Sequence, residues 1–93
     1  MKRERYSNVW DAIEDDPAVA ENLKLRSSLM VALKRSIQRE GLTQAQAAKL
    51  LGVTQPRISN LMRGKINAFS LDLLVGMATA AGLRVTMRVQ KAA

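Results

Sequence analysis

Two very short helical segments follow one another in the middle of this 93-residue chain, and single residues mark their boundaries. Thr43 and Thr54 can each cap the first turn of a helix, and Gly52 can end the helix that Thr43 begins. The sequence therefore predicts one helix from Gln44 to Leu51 and a second from about Gln55 to Arg63.

The three-residue connection between these segments predicts a helix-turn-helix. Gly52 can take a positive φ at the sharp corner, a backbone conformation that other residues rarely adopt. Two short helices joined in this way form the compact unit of the motif, although small helical domains of other functions contain similar turns. The residues expected to face inward and hold the two helices at a fixed angle are Ala47, Ala48, Leu51, Val53, Ile58, Leu61 and Met62.

The outer face of the second helix is polar and carries no acidic residue. It comprises Gln55, Arg57, Ser59, Asn60 and Arg63. Glutamine and asparagine can form bidentate pairs with adenine in the major groove of DNA, and arginine can form them with guanine. Because an ordinary solvated face would usually include Glu or Asp, this composition indicates a helix that binds double-stranded DNA.

Two further helices are expected around this motif. Asp16 and Pro17 suit the start of a long helix that Gly41 ends, and Ser70 can cap a last helix that Gly82 ends. The predicted fold class is an all-α bundle of four to five helices, with one short C-terminal β-strand. The expected inward residues are Leu25, Leu29, Met30, Leu33 and Ile37 in the long helix and Leu71, Leu74, Val75 and Ala78 in the last one.

The C-terminal strand is predicted over residues 83–90, where apolar and polar residues alternate. Its apolar face comprises Leu83, Val85, Met87 and Val89. A lone strand in a helical chain either lies over the helices as an extended tail or pairs with a second copy. We favour pairing and expect a homodimer, since helix-turn-helix proteins usually bind two-fold DNA half-sites.

The net charge of +7 is distributed unevenly along the chain. Residues 1–22 carry three basic and six acidic residues, whereas residues 23–93 carry 12 basic and two acidic ones. We therefore divide the chain into an acidic N-terminal extension (1–22), a DNA-binding domain (23–82) and a C-terminal tail (83–93). The basic domain would attract polyanions through counterion release. A membrane surface would attract it too, but no helix combines a basic face with bulky apolar anchors, so we expect no membrane partner.

Cysteine and histidine are both absent. Without them the chain has no disulfide framework and no thiolate metal site, and it lacks the commonest general base. No constellation of Ser, Lys, Asp or Glu indicates catalysis, so we expect neither an enzyme nor a metal or other cofactor. No apolar run is long enough to span a membrane and no signal peptide is apparent, so we expect a cytoplasmic protein.

The stretch from Leu42 to Lys65, LTQAQAAKLLGVTQPRISNLMRGK, resembles the Cro/repressor-type helix-turn-helix of the XRE family. The resemblance extends over about residues 25–82. It implies a lambda-repressor-like fold, sequence-specific binding to a DNA operator and regulation of transcription. The wider layout, with an N-terminal extension before this domain and a strand after it, resembles HigA-type antitoxins of type II toxin–antitoxin modules. This second resemblance implies repression of the protein's own operon and binding to a basic toxin.

The XRE resemblance also assigns roles to single residues. Gln55 would read a base, Gln44 would bind a phosphate and brace Gln55, and Pro56, which replaces a small polar residue, would touch a thymine methyl group. The implied base-contacting residues are Gln55, Pro56, Arg57, Ser59 and Asn60, of which Arg57 and Asn60 would reach base edges or flanking phosphates. The implied phosphate-contacting residues are Thr43, Gln44, Thr54, Arg63 and Lys65, of which the two threonines serve first as caps. Lys49 is expected to be a solvated surface residue.

The N-terminal extension carries four apolar residues spaced like one face of a short helix: Tyr6, Val9, Trp10 and Ile13. They either complete the domain's own core or anchor a partner, since tyrosine and tryptophan dominate binding energy at protein interfaces. The surrounding carboxylates would suit a basic toxin, or they would shield the basic domain in the absence of DNA. The sequence thus favours an antitoxin that binds DNA. A stand-alone repressor and an interaction module that does not bind DNA are the alternatives.

Overall fold

The computed structural model describes residues 15–92, which form four α-helices joined by short connections. The helices are α1 (Pro17–Arg39), α2 (Gln44–Leu51), α3 (Gln55–Met62) and α4 (Leu71–Ala80), and a 3₁₀ turn (Ile66–Ala68) precedes α4. The predicted helical bundle is confirmed. The helix predicted from Tyr6, Val9, Trp10 and Ile13 lies outside the described residues.

Each helix begins at a side-chain cap that the sequence predicts. Asp16 caps α1, Thr54 caps α3 and Ser70 caps α4. At the start of α2, Thr43 Oγ1 accepts a hydrogen bond from the N–H of Gln46 at 3.1 Å, and Gln46 Oε1 accepts one from the N–H of Thr43 at 2.9 Å. These bonds satisfy N–H groups that have no partner within their own helix, so they fix where each helix begins.

The core lies where the pair α1–α4 meets the pair α2–α3. Its buried side chains are Met30, Leu33 and Ile37 from α1, Ala47, Ala48 and Leu51 from α2, Ile58 and Leu61 from α3, Phe69 from the α3–α4 connection, and Leu74, Met77 and Ala78 from α4. Because α2 and α3 each bury one face here, their outer faces keep a fixed relation to each other. Within residues 15–92 no helix has the length and apolarity needed to cross a membrane.

Two apolar residues predicted to face the core remain partly exposed: Leu25 is 46% exposed and Val75 is 38% exposed. Leu25 is the first of a row of apolar residues spaced four positions apart along α1. Four residues advance an α-helix by about 400°, so this row turns by about 40° round the helix at each step, and Leu25 lies away from the buried side. Val75 lies about 100° round α4 from the buried Leu74, at the edge of the inner face. The buried residues of α1 are Ala20, Leu23, Met30, Leu33 and Ile37. Three of them, Leu23, Met30 and Ile37, lie seven positions apart, a spacing that drifts by only about 20° round the helix at each step.

The predicted C-terminal strand is wrong for the single chain. Residues 83–92 form no helix or strand. Beyond Leu83, whose N–H donates to the carbonyl of Ala78 at 2.9 Å, no backbone hydrogen bond ties them to other described residues. Met87 is 71% exposed and Val89 is 87% exposed. A strand forms only where a neighbouring backbone completes its ladder of hydrogen bonds, and the described part of this chain contains no second strand. The first part of the segment borders a groove formed by Leu25, Ser28 and Leu29 of α1 and by Leu71 and Val75 of α4.

Candidate nucleic-acid interface

The connection between α2 and α3 makes a sharp corner at Gly52. Gly52 has a φ of +71° and a ψ of 32°, which lie in the left-handed region that the sequence predicts for it. The N–H groups of Gly52 and Val53 both donate to the carbonyl of Ala48, the second at 3.0 Å, and so end α2. Val53 is half-buried and packs against the core that contains Leu51 and Ile58. The corner and the packing together confirm the helix-turn-helix.

The exposed side of α3 gathers four of the five residues predicted to read bases. Gln55 and Pro56 are exposed in the first turn, and Ser59 and Asn60 are half-exposed one turn later. Residues 55 and 59, like residues 56 and 60, are four positions apart, so the four side chains share one side of the helix. The opposite side of α3 is buried in the core, which keeps this polar side directed outward.

The fifth predicted base reader, Arg57, makes contacts within the protein instead. Its Nη1 donates a hydrogen bond to the carbonyl of Ala68 at 2.8 Å. Its Cζ lies 5.8 Å from the centre of the Phe69 ring, within the range of a cation–π contact. Since Ala68 and Phe69 belong to the connection between α3 and α4, the half-buried guanidinium of Arg57 joins the start of α3 to that connection.

A second arginine, Arg26 of α1, binds the same connection. Its Nη1 donates to the carbonyl of Ile66 at 3.2 Å and to the carbonyl of Phe69 at 3.1 Å. The Nε of Arg26 is buried and has no hydrogen-bond partner among residues 15–92. The sequence analysis missed Arg26 and Phe69 because these contacts join residues at least 40 positions apart. Neither a cap nor a helical period indicates such a contact.

The predicted phosphate-contacting residues lie around the ends of α2 and α3. They are Thr43 and Gln44 at the start of α2, Thr54 at the start of α3, and Arg63 and Lys65 just after α3. The hydroxyls of both threonines accept the capping hydrogen bonds of their helices. Arg63 and Lys65 are exposed, and Nη2 of Arg63 lies 3.4 Å from Oδ1 of Asn60. Arg63 thus lies beside the polar side of α3.

This architecture matches known proteins over most of the chain. A family model described as a helix-turn-helix domain matches residues 12–90. A solved structure of an XRE family transcriptional regulator is 34% identical in sequence, with a TM-score of 0.73 over 80% of this chain and 83% of that chain. The chain is an XRE-type helix-turn-helix protein. These matches indicate a DNA-binding regulator rather than an enzyme. No curated protein shows significant sequence similarity to the chain.

The electrostatics of this XRE-type domain favour an anionic ligand at the motif. No acidic residue occurs between Glu40 and Asp72, and the basic residues in that stretch are Lys49, Arg57, Arg63 and Lys65. Neither α2 nor α3 has an acidic residue in its first turn, so neither helix offsets the partial positive charge of its own start. The described residues contain no cluster of His, Cys, Asp and Glu side chains that could hold a metal ion.

The XRE resemblance also implies that Gln44 braces Gln55. Within residues 15–92 neither side chain makes a hydrogen bond, so both amides are available to a ligand. The bracing contact therefore stays a prediction for the DNA complex.

Proposed function

We propose that this protein is a sequence-specific transcriptional regulator that places α3 in the major groove of double-stranded DNA. The observation that carries the proposal is the exposed side of α3, where Gln55, Pro56, Ser59 and Asn60 lie together in a stretch of sequence that has no acidic residue. The two amides suit bidentate hydrogen bonds to adenine, and the serine hydroxyl can bond to several bases. The ring of Pro56 suits contact with a thymine methyl group.

The residues at the helix ends would fix the register of α3 on the duplex. Arg63 and Lys65 are exposed cations that suit phosphate oxygens, and Gln44 stands at the start of α2, where backbone N–H groups also favour an anion. The hydroxyls of Thr43 and Thr54 already serve as caps, so their phosphate contacts would be secondary. Contacts of this kind position a protein on DNA without reading its sequence.

We further propose that the protein acts as a homodimer in which a second copy covers the C-terminal segment. The side chains of Met87 and Val89 are mostly exposed, and the backbone after Leu83 makes no backbone hydrogen bond to other described residues. Antiparallel pairing of two such segments across a two-fold axis would complete their backbone hydrogen bonds, while the apolar face formed by Leu83, Val85, Met87 and Val89 lies on the helices. A dimer would also present two copies of α3 to two half-sites.

Selection from a randomised duplex library tests the DNA-binding proposal directly. The duplexes should be about 30 base pairs long, which accommodates two half-sites one helical turn apart. We expect enrichment of a two-fold symmetric sequence, bound with an affinity that falls steeply as salt rises, because phosphate contacts release counterions. The absence of any enriched sequence at low salt, with the protein shown to be folded, would contradict the proposal.

A second candidate function extends the first: an antitoxin that represses its own operon and binds a basic toxin. The acidic extension of residues 1–22 supports it, because carboxylates around Tyr6, Val9, Trp10 and Ile13 would steer and orient a basic partner. The alternatives are a repressor without a partner and an interaction module that does not bind DNA. The polar, acid-free side of α3 argues against the module.

Capture of the product of an adjacent small, basic reading frame tests the antitoxin role. Trp10→Ala should abolish capture while leaving the melting temperature and DNA binding unchanged. Leu50→Ala is the matched control, because Leu50 is an exposed apolar residue on α2 and its loss should leave capture intact. If Trp10→Ala instead lowers the melting temperature by several degrees, the ring belongs to the domain's own core and the plain repressor is favoured.

A further inference from the structure

The connection between α3 and α4 is held by arginines from two different helices. Arg26 of α1 donates to the carbonyls of Ile66 and Phe69 at 3.2 and 3.1 Å, and Arg57 of α3 donates to the carbonyl of Ala68 at 2.8 Å. Three carbonyls within four residues therefore accept hydrogen bonds from charged donors, which are stronger than bonds between neutral groups. The connection is fixed to α1 and to α3 at the same time.

Phe69 adds a rigid support beneath Arg57. Its ring is 2% exposed and belongs to the core, and the Arg57 guanidinium lies 5.8 Å from the ring centre. The backbone N–H of Arg57 donates to Thr54 Oγ1 at 3.3 Å, so the same residue is part of the cap that starts α3. The first turn of α3 is thereby joined through one side chain to the core and to the α3–α4 connection.

We propose that Arg57 is a positioning residue that sets the orientation of α3 in the major groove and does not read a base. The proposal rests on the DNA-binding function proposed above and narrows its base-reading set to Gln55, Pro56, Ser59 and Asn60. Reading a base would require the guanidinium to leave both the carbonyl of Ala68 and the Phe69 ring. Phe69 is correspondingly a residue that affects DNA recognition without reaching DNA.

Base preferences measured for four variants test this assignment. The proteins are wild type, Arg57→Ala, Phe69→Leu and the double variant, each bound to the randomised duplex library well below its melting temperature. Phe69→Leu keeps an apolar side chain in the core but removes the aromatic ring that lies beneath the Arg57 guanidinium. It alters no charge, so the charge that faces DNA stays the same. Lys65→Ala serves as the reference for loss of a phosphate contact.

A positioning role gives a distinct pattern. Arg57→Ala and Phe69→Leu should each weaken binding to the preferred sequence by about tenfold, as expected for loss of a charged hydrogen bond or its support. Both should reduce the base preference at every position that α3 contacts. Their affinity for non-preferred DNA should stay within about twofold of the wild-type value. The double variant should lose little more than either single variant, because both changes break the same link.

Other patterns would overturn the assignment. If Arg57→Ala removes the preference at one base position and leaves the others unchanged, Arg57 reads that base. If it weakens all sequences alike and shrinks the salt slope as Lys65→Ala does, Arg57 binds phosphate. If only the melting temperature falls, its role is confined to stability. A wild-type protein that selects no sequence would overturn the DNA-binding function as well.

Discussion

The helix-turn-helix and the C-terminal segment both carry regular apolar patterns, yet only the first forms its predicted structure within one chain. α2 and α3 form their backbone hydrogen bonds within one short stretch of chain, with side-chain caps at their starts, and they need only an apolar surface to cover their inner faces. Residues 83–90 have an equally regular period of two, but a strand needs a second strand to complete its backbone hydrogen bonds. A local pattern therefore predicts an element reliably only where the same chain also contains whatever completes that element.

Truncation of one side chain in the helix-turn-helix and one in the C-terminal segment should give the largest difference in the free energy of unfolding. Leu61 is 1% exposed, and Leu61→Ala should lower the free energy of unfolding by about 2–5 kcal/mol because it leaves a cavity in the core. Val89 is 87% exposed, and Val89→Ala should change it by less than about 0.5 kcal/mol in dilute solution. Urea unfolding measures both values. Equal losses would show that the C-terminal segment belongs to the domain's own core.

Removal of the C-terminal segment should affect association and leave folding intact. A chain ending at Arg84 keeps Leu83 packed against the core but loses Val85, Met87 and Val89. We expect a monomer by sedimentation velocity, with a melting temperature close to that of the full chain. Its affinity for a two-fold site should fall by about 100-fold or more. In a dimer, binding of one α3 holds the other at a high effective concentration near its half-site, and a monomer lacks this effect.

A matched pair of point variants sharpens the same test. Val89→Asp and Gln90→Asp add the same charge at neighbouring positions that alternate between the two sides of an extended chain. Only Val89→Asp should produce a monomer. A full-length chain that sediments as a monomer at micromolar concentration, or a dimer that tolerates Val89→Asp, would contradict the proposed pairing.

Replacing Gly52 tests how far the corner between α2 and α3 depends on backbone conformation, and replacing Gly76 in α4 provides the comparison. A Cβ at Gly52 would meet no atom within 4 Å, but the φ of +71° is unfavourable for alanine, so Gly52→Ala should destabilise the fold by about 1 kcal/mol. Gly76 lies inside α4 with similar open space, so Gly76→Ala should stabilise it by about 0.5–1 kcal/mol. The melting temperature should fall for Gly52→Ala and rise for Gly76→Ala. Shifts of the same sign would contradict the conformational argument.

The parts of the fold that the sequence predicts correctly are those fixed by neighbours along the chain. The caps at Asp16, Thr43, Thr54 and Ser70 each act on residues within the next turn, and the corner at Gly52 depends on its own φ. The acid-free face of α3 is likewise a local property. Burial of one face of a two-turn helix then leaves little freedom in where the other face points.

The parts that the sequence analysis missed depend on distant residues. Arg57 belongs to the polar residues of α3 by its position, and only the fold brings Ala68 and Phe69 beneath its guanidinium. Arg26 binds carbonyls at least 40 positions away, and a carbonyl carries no signature in the side-chain sequence. Leu25 belongs to a regular stripe, but the helices that cover α1 do not follow that stripe along its whole length.

The central claim is that α3 reads base sequence while the cations after it hold phosphate, and a comparison of Gln55→Ala with Lys65→Ala tests it most directly. Both side chains are exposed, so neither change should unfold the protein. Affinity should be measured for the selected sequence and for random DNA at several salt concentrations. Gln55→Ala should cost about 1–3 kcal/mol on the selected sequence and little on random DNA. Lys65→Ala should weaken both alike and reduce the salt slope by about one unit. Equal proportional losses of specific and non-specific binding in the two variants would contradict the account.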